Sequence, residues 1–417
     1  MQPFIYSRTM QVFLLVSLSQ ALLCTVFFRF LNNYEEEEHD SDDHLLQMIV
    51  EGNSKFAYTF FTHLANENPN QNIFCSPISI SMLFSMISAG AKGQTQTQIL
   101  EGLDFNATLN SEKNVRKGYK HLLKMLTQTN SDSVLSIANA LFAEKNTMFL
   151  KKFLDDLKDY QAEAISTDFQ KSEDAKNQIN RYVEEKTNGM IKNLLGSVDP
   201  QTVAVALNTI YFKGKWKDAF DKRRTHDADF HVDNKTVITV PMMSRQGSYR
   251  TAYIREVGCT LVEVPYLGSI SAFFIVPDPG RFEDLMRALK NNFISKWIEE
   301  MEPMYEGILL SIPKFKMSSA VDLKKELTAL GIKRVFSNNA DLTGVTGSKE
   351  LKVSEAVQKA VVSVDESGTE AAAASAGGLT LHGMPPEIKV NRPFVFLIRE
   401  NRAKVDLFIG KLIKPKN

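Results

Sequence analysis

The stretch VDESGTEAAAAS, Val364–Ser375, restricts the fold more than any other part of the sequence. Thr369, Ala371, Ala373, Ser375 and Gly377 occupy every second position, and all are small. Alternate side chains of a strand share a face, so this segment can enter between two existing strands without meeting a packed core. Glu370 has the opposite parity and faces solvent in such a strand. Beyond lie Gly377-Gly378, the apolar Leu379-Thr380-Leu381, and Pro385-Pro386, which cannot extend a sheet ladder. Such a segment can be an exposed loop in one state and a buried strand in another. Composition alone leaves a second reading open. Alanine is the best helix former, although Ser367-Gly368 and Gly377-Gly378 leave room for only a short helix.

Length alone predicts about two domains, but no Gly/Ser/Pro-rich linker or internal repeat divides the 417 residues. With 49 basic residues against 49 acidic ones, a nucleic-acid binder is disfavoured, since such proteins are normally basic overall. At the N-terminus, Arg8 and the apolar Val12–Leu23 have the form of a secretory signal, with small Ser19 and Ala21 where a signal peptidase reads. Met10–Phe28 also stays mostly apolar over 19 residues, near the length that spans a bilayer. Gln11, Ser17, Ser19 and Gln20 weigh against that anchor. The expected division is residues 1–21 as signal peptide (or an uncleaved anchor to about 28), 22–52 as a disordered acidic extension, and 53–417 as one domain. The extension carries Glu35-Glu36-Glu37-Glu38-His39-Asp40-Ser41-Asp42-Asp43, a like-charge block that reads as a solvated tail or as a partner for a basic surface. The body of the chain is expected outside the cytosol, secreted, and off the membrane once the signal is removed. Cys75 and Cys259 lie in apolar runs, where a buried free thiol is the commoner state. The sequons at Asn106 and Asn234 fit passage through the secretory pathway.

Hydrophobic periodicity predicts a helix from Asn53 or Ser54, with Phe56, Ala57, Phe60, Phe61 and Leu64 on one stripe. Ser76-Pro77 starts another that runs to about Ser88. Helices are also expected at Thr147–Tyr160, Ser172–Lys186 and Ser319–Leu330, the last stopping at Gly331. Strands read at Val203–Phe212, Thr236–Met243, Thr260–Pro265, Ala272–Val276, Ile308–Lys316, Glu355–Glu366, Phe394–Ile398 and Leu407–Ile413. Early helices followed by many non-alternating strands indicate an α+β fold with mixed and antiparallel sheets. Lys113, Arg116, Lys117, Lys120 and Lys124 recur at helical spacing, opposite Val115, Tyr119, Leu122 and Leu123. They read either as a solvated helix face or as a site for an anionic polysaccharide.

Catalytic motifs are missing. There is no His-Glu-x-x-His, paired Cys-x-x-Cys, phosphate-binding glycine loop or Gly-x-Ser-x-Gly elbow. Ser311-Ile312-Pro313-Lys314 has the Ser-x-x-Lys spacing of β-lactamases, but Pro313 interrupts an apolar strand instead of opening a helix. The seven histidines show no ligand spacing. The expectation is no metal, no cofactor and no enzyme.

NIFCSPISISMLFSMISAGAKGQTQTQILEGLDFN (Asn72–Asn106), ALNTIYFKGKW (Ala206–Trp216), VPMM (Val240–Met243) and PKF (Pro313–Phe315) resemble blocks of the serpin family, in the family's order. SNNADLTGVT (Ser337–Thr346), NRPFVFLI (Asn391–Ile398) and LFIGKLIKP (Leu407–Pro415) continue the series. The likeness is strongest to the secreted α1-antitrypsin-like group. It implies a single monomeric serpin-type domain with about nine helices and an exposed reactive-centre loop. It also implies a serine protease inhibitor that is cleaved as a suicide substrate, traps the acyl-enzyme covalently, and inserts its loop as a new strand. The loop hinge then comprises Gly368, Thr369, Glu370, Ala371, Ala372, Ala373, Ala374 and Ser375, based at Glu366. The register places the scissile bond at His382-Gly383, with Leu381-His382 as the alternative one residue away. No Lys or Arg lies between Lys359 and Lys389, which excludes the cationic bait a trypsin-like pocket requires. A chymotrypsin-like slot takes Leu381, or less well His382.

The resemblance also assigns supporting roles. Lys314 and Glu366 tie the top of the slot to the loop's base, Trp216 packs beneath the point of first insertion, and Ser76, Ser79 and Asn208 form a polar gate under the sheet. Family members usually place a histidine in that gate, whereas this chain has Gln358. Glutamine keeps a donor and an acceptor but with a different reach, which puts gate opening in question. In heparin-activated serpins the helix matching Lys113–Lys124 holds the polysaccharide. The rival reading on the same scaffold is a non-inhibitory small-ligand carrier or chaperone, since fold does not fix function.

Overall fold

The computed structural model describes residues 43–105, 111–127, 133–290, 294–302, 307–367 and 386–415. Helix α1 covers residues 43–67. Leu45, Leu46 and Ile49 are buried in line with Phe56, Phe60, Phe61 and Leu64, so the apolar stripe runs well N-terminal of Asn53. Residues 43–52 therefore belong to the fold and not to a disordered extension. The adjoining acidic run hid this stretch in the sequence. Among the described residues no helix is long and apolar enough to cross a membrane, and residues 10–28 lie outside them.

The remaining helices are α2 (Pro77–Gly90), α3 (Gly93–Gly102), α4 (Glu112–Thr127), α5 (Lys151–Asp159), α6 (Ser172–Lys186), α7 (Phe282–Leu289), α8 (Ile294–Glu299), α9 (Leu323–Ala329) and the one-turn α10 (Thr343–Thr346). All 14 residues of α2 are buried. A helix apolar on every side belongs at the centre of a large domain, and α2 sits in the main core.

Among the described residues three sheets complete the fold. In the six-stranded sheet, β1 (Ile73–Cys75), β15 (Val405–Leu412), β14 (Phe394–Glu400), β9 (Ile270–Pro277), β8 (Cys259–Pro265) and β7 (Thr251–Ile254) follow in that order. The four-stranded sheet has the order β13 (Glu387–Lys389), β10 (Ile308–Pro313), β6 (Val237–Gly247), β5 (His226–His231). The five-stranded sheet runs β11 (Phe315–Asp322), β12 (Glu355–Val364), β4 (Ala204–Gly214), β2 (Ser133–Glu144), β3 (Glu163–Thr167). Within it β12 pairs in parallel with β4, whereas β11 with β12 and β2 with β4 are antiparallel. Both faces are covered. Ala356, Ala360 and Val362 of β12 join Ala206, Ile210 and Phe212 of β4 in the main core. Val361, Val205, Leu207 and Tyr211 point the other way, into a second cluster under Ala175, Ile179 and Val183 of α6.

Several boundaries differ from the sequence reading. The strand expected at Ile308–Lys316 is two strands in two sheets, β10 and β11, broken at Pro313-Lys314. Proline has no N–H for the ladder, and the Lys314 amide donates to Pro241 O at 2.9 Å. The helix expected from Ser319 begins only at Leu323, because residues 315–322 continue as β11. Phe315, Met317 and Val321 are buried while Lys316, Ser318, Ala320 and Asp322 are exposed, a strand's period of two. The Asp322 carboxylate accepts from the Lys325 amide at 3.0 Å and fixes the helix start. Helix α5 starts at Lys151, not Thr147. Cys75 and Cys259 are buried free thiols, and burial, the larger cause, with the Asp278 charge pushes Cys259 up to about 12.

Candidate functional site

The seam between β12 and β4 holds a cluster of buried polar side chains. Their parallel register runs from Glu355↔Val205 to Val361↔Tyr211 and stops. Both strands continue, but among the described residues Val362–Val364 pair only with β11 and Phe212–Gly214 only with β2. The sheet is thus closed along most of the seam and parted at the end where the chain leaves β12.

A knot of amides and hydroxyls lies along the closed part. Gln358 and Asn208 are register partners, as are Asn208 and Asn139. Gln358 Nε2 lies 2.7 Å from Asn208 Oδ1, 2.9 Å from Ser76 O and 3.0 Å from Ser79 Oγ. Gln358 Oε1 accepts from the Ser76 amide at 3.0 Å. Ser79 Oγ donates to Asn208 Oδ1 at 2.8 Å, and Asn208 Nδ2 donates to Asn139 Oδ1 at 2.8 Å. Ser76 Oγ reaches across to Leu407 O at 2.6 Å. Every side chain here is buried, so these bonds form in a low-dielectric interior and each lost partner is costly. The structure brings together Ser76, Ser79, Asn208 and Gln358, as the sequence reading grouped them. It adds Asn139, which that reading missed because β2 was never identified as a strand.

A second cluster surrounds the parted end. Lys314, at the break between β10 and β11, places Nζ 2.9 Å from Glu366 Oε2. Thr225 Oγ1 donates to the other carboxylate oxygen at 2.7 Å. Burial pushes the Glu366 carboxyl up, but the bonds from Lys314 and Thr225 outweigh it and hold the group below its ordinary value. Trp216 Nε1 donates to Asp365 O at 2.8 Å, and its amide donates to Ser367 O at 3.2 Å. The indole stacks on Tyr266 with centroids 4.1 Å apart and an interplanar angle of 11°. The Phe220 amide donates to Glu366 O at 2.8 Å. Residues 365–367, the last three before the small-residue segment, are therefore fixed from three sides. Thr225 and Tyr266 carried no sequence signal of their own.

The Ser-x-x-Lys match is spread over different contacts. Ser311 shares a hydrogen bond with Ser244 at 2.9 Å, while Lys314 is held by Glu366. Asn234 is exposed in the turn between β5 and β6. The hinge residues Gly368, Thr369, Glu370, Ala371, Ala372, Ala373, Ala374 and Ser375 lie outside the described residues, as do Leu381, His382, Gly383 and Asn106.

The basic face is only partly what its spacing implied. Lys113, Lys117, Lys120 and Lys124 are exposed on α4. Arg116 instead turns toward α5, reaching Asp159 at 2.7 Å, Asp156 at 3.1 Å and Glu112 at 3.4 Å. Burial opposes the Arg116 charge, but these three carboxylates outweigh it and raise its pKa. Lys120 also pairs with Asp159, at 2.9 Å. Arg116 is thus a packing residue and leaves the set that can meet an anionic chain.

Residues 51–415 match the family model for Serpin (serine protease inhibitor). The chain is 40% identical over 399 residues to alpha-1-antiproteinase of Rattus norvegicus, covering 95% of this chain and 97% of that protein. Among solved structures, human thyroxine-binding globulin complexed with thyroxine superposes with a TM-score of 0.83 at 36% identity, over 89% of this chain and all of that one. Human glycosylated kallistatin gives a TM-score of 0.83 at 34% identity, over 89% and 99% of the two chains.

Proposed function

Because the chain belongs to the serpin family, we propose that it is a secreted inhibitor that traps a chymotrypsin-like serine protease by loop cleavage and strand insertion. The observation that carries this reading is the parallel β12–β4 seam, parted beyond Val361↔Tyr211. A segment that leaves β12 and turns back between the two strands runs antiparallel to β12, and so antiparallel to β4 as well. Insertion then replaces one parallel pairing by two antiparallel ones, which are slightly more stable per residue. β12 is 10 residues long, and the ten residues Gly368–Gly377 match that length with small side chains at alternate positions.

The order of events follows from the clusters. The protease serine attacks the bait carbonyl at His382-Gly383, or at Leu381-His382, and the acyl-enzyme forms as the C-terminal side departs. The freed hinge then enters at the parted end, beside Trp216, Lys314 and Glu366. Advance along the seam breaks the Gln358–Asn208 bond, so the amide knot sets the rate of insertion. Release of the strain stored in the unfilled sheet makes the step irreversible.

The rival reading, a non-inhibitory carrier, draws support from the likeness to thyroxine-binding globulin. Incubation with a panel of serine proteases separates the two. A covalent 1:1 complex stable in SDS with a chymotrypsin-like protease, cleaved between Leu381 and Gly383, is the expected result. Cleavage without complex formation favours the carrier, and a complex with a strictly Arg-specific protease overturns the bait assignment.

A further inference from the structure

We propose that the concave face of the four-stranded sheet binds a small organic acid, a monocarboxylate with an apolar body. The edge strands of this sheet, β13 and β5, would stand about 14 Å apart if it were flat. They are instead linked at one end, where the His231 amide donates to Asn391 O at 2.8 Å. The sheet therefore curls, and a cavity of about 620 Å³ lies in the curl with walls from all four strands. That volume is within the range of small-molecule sites.

The register decides what points into it. Ser311 stands opposite Lys389 on one side and Ser244 on the other, and residues directly opposite share a face. Ser244 Oγ and Ser311 Oγ lie 2.9 Å apart, and both side chains are buried. Two hydroxyls hold two protons and their mutual bond uses one. Among the described residues, one buried O–H donor is thus left without an acceptor in the cavity floor. Met242 and Leu309 beside it supply apolar surface.

Charge at the mouth selects the ligand. Arg224 and His226 are exposed on the β5 wall, and Lys389 on the β13 wall. Lys389 is already paired with Glu387 at 3.0 Å. Arg224 is different. Asp221 is held by Arg223 at 2.7 Å, and among the described residues no hydrogen bond or ion pair engages the Arg224 guanidinium. A guanidinium grips a carboxylate through two parallel bonds. Glu387 and Asp229 also line the cavity, so a dianion such as phosphate meets like charges there. A single carboxylate finds Arg224 open, and its apolar body covers Met242 and Leu309.

Octanoate is the probe. Calorimetric titration of the purified protein should show one saturable site. Octanol lacks the charge, and acetate and inorganic phosphate lack the body, so each should bind at least about tenfold more weakly. Arg224→Gln should keep the parental melting point and weaken octanoate about tenfold, as loss of a charge-assisted bond at an open mouth implies. Lys222→Gln, exposed in the same turn but outside the lining, should bind as the parent does. With ¹³C-methyl methionine, the Met242 signal, identified by its loss in Met242→Leu, should shift in step with the calorimetric saturation. No saturable binding, equal binding of octanol or phosphate, or an unmoved Met242 signal overturns the proposal. Parental affinity in Arg224→Gln overturns the placement of the carboxylate. No protease takes part, so failure here is distinct from failure of the inhibitory reading.

Discussion

Gln358→Leu isolates the amide knot, since leucine has nearly the volume of glutamine and adds little cavity. Most of the partners it abandons are not left empty. Ser76 O still accepts from Ser79 Oγ at 3.1 Å and from the Ile80 amide at 3.2 Å, and Asn208 Oδ1 keeps Ser79 Oγ at 2.8 Å. The Ser76 amide, bonded to Gln358 Oε1, is the group orphaned by the change. One buried unsatisfied donor costs about 1–3 kcal/mol and the lost Gln358–Asn208 bond about 1 kcal/mol, so about 2–4 kcal/mol in all. At roughly 2 °C per kcal/mol for a large domain, the intact protein should melt about 4–8 °C lower. On the proposed mechanism loop cleavage and insertion break the Gln358–Asn208 bond, so the loss in cleaved protein should be smaller by about 2 °C. If that bond also resists seam opening, a synthetic peptide of residues 368–377 should anneal about five times faster, as 1 kcal/mol of barrier implies. Differential scanning fluorimetry of both forms and native-gel annealing kinetics supply the numbers. A melting point within about 1 °C of the parent, or equal losses in intact and cleaved forms, would refute the knot as a latch on the seam.

On the inhibitory reading, Thr369→Arg should turn complex formation into simple cleavage, because the expected parity would carry a charge into the sheet's buried face, where an unpaired charge is very costly. Complex formation at the parental rate would show that the hinge register is wrong. The Glu366 anchor should fail in acid: its folded pKa is depressed, so its contribution is complete above the unfolded value near 4.3 and is lost as pH falls through the lower folded value. Trp216 fluorescence should report that loss below about pH 4, and Glu366→Gln should remove the transition. Arg116→Ala should lower stability by about 1–3 kcal/mol, discounted from the value for a buried pair because Arg116 retains partial exposure. Denaturant titration should show Lys124→Ala to be neutral by comparison.

Much of the seam was legible because its residues are unusual for their places. Polar Asn208 and Gln358 interrupt apolar strands, and Ser76 and Ser79 interrupt an apolar helix, but it was the resemblance to serpins that grouped the four before the geometry was known. Asn139 escaped because SVLSIANALFAE lacks clean alternation, and pairing with β4 and β3, both later in the chain, decides that it is a strand. Arg116 was misjudged for a related reason. Helical spacing tells which residues share a face, but only α5 tells that Asp156 and Asp159 stand opposite one edge of it. The break at Pro313 was visible as a proline, yet its use to pass one segment between two sheets is a tertiary choice.

The place of β15 has a consequence for biosynthesis. This strand ends at Leu412, lies between β1 and β14, is the partner through which β1 joins its sheet, and supplies the Leu407 carbonyl to Ser76 Oγ. On a ribosome these residues emerge only after every helix named above has been released. Until then β1 has no neighbour to pair with and the Ser76 hydroxyl lacks its acceptor. The nascent chain must therefore wait with its hydrophobic centre incomplete, which makes premature termination upstream of Val405 a folding defect for the whole molecule and not the loss of a tail.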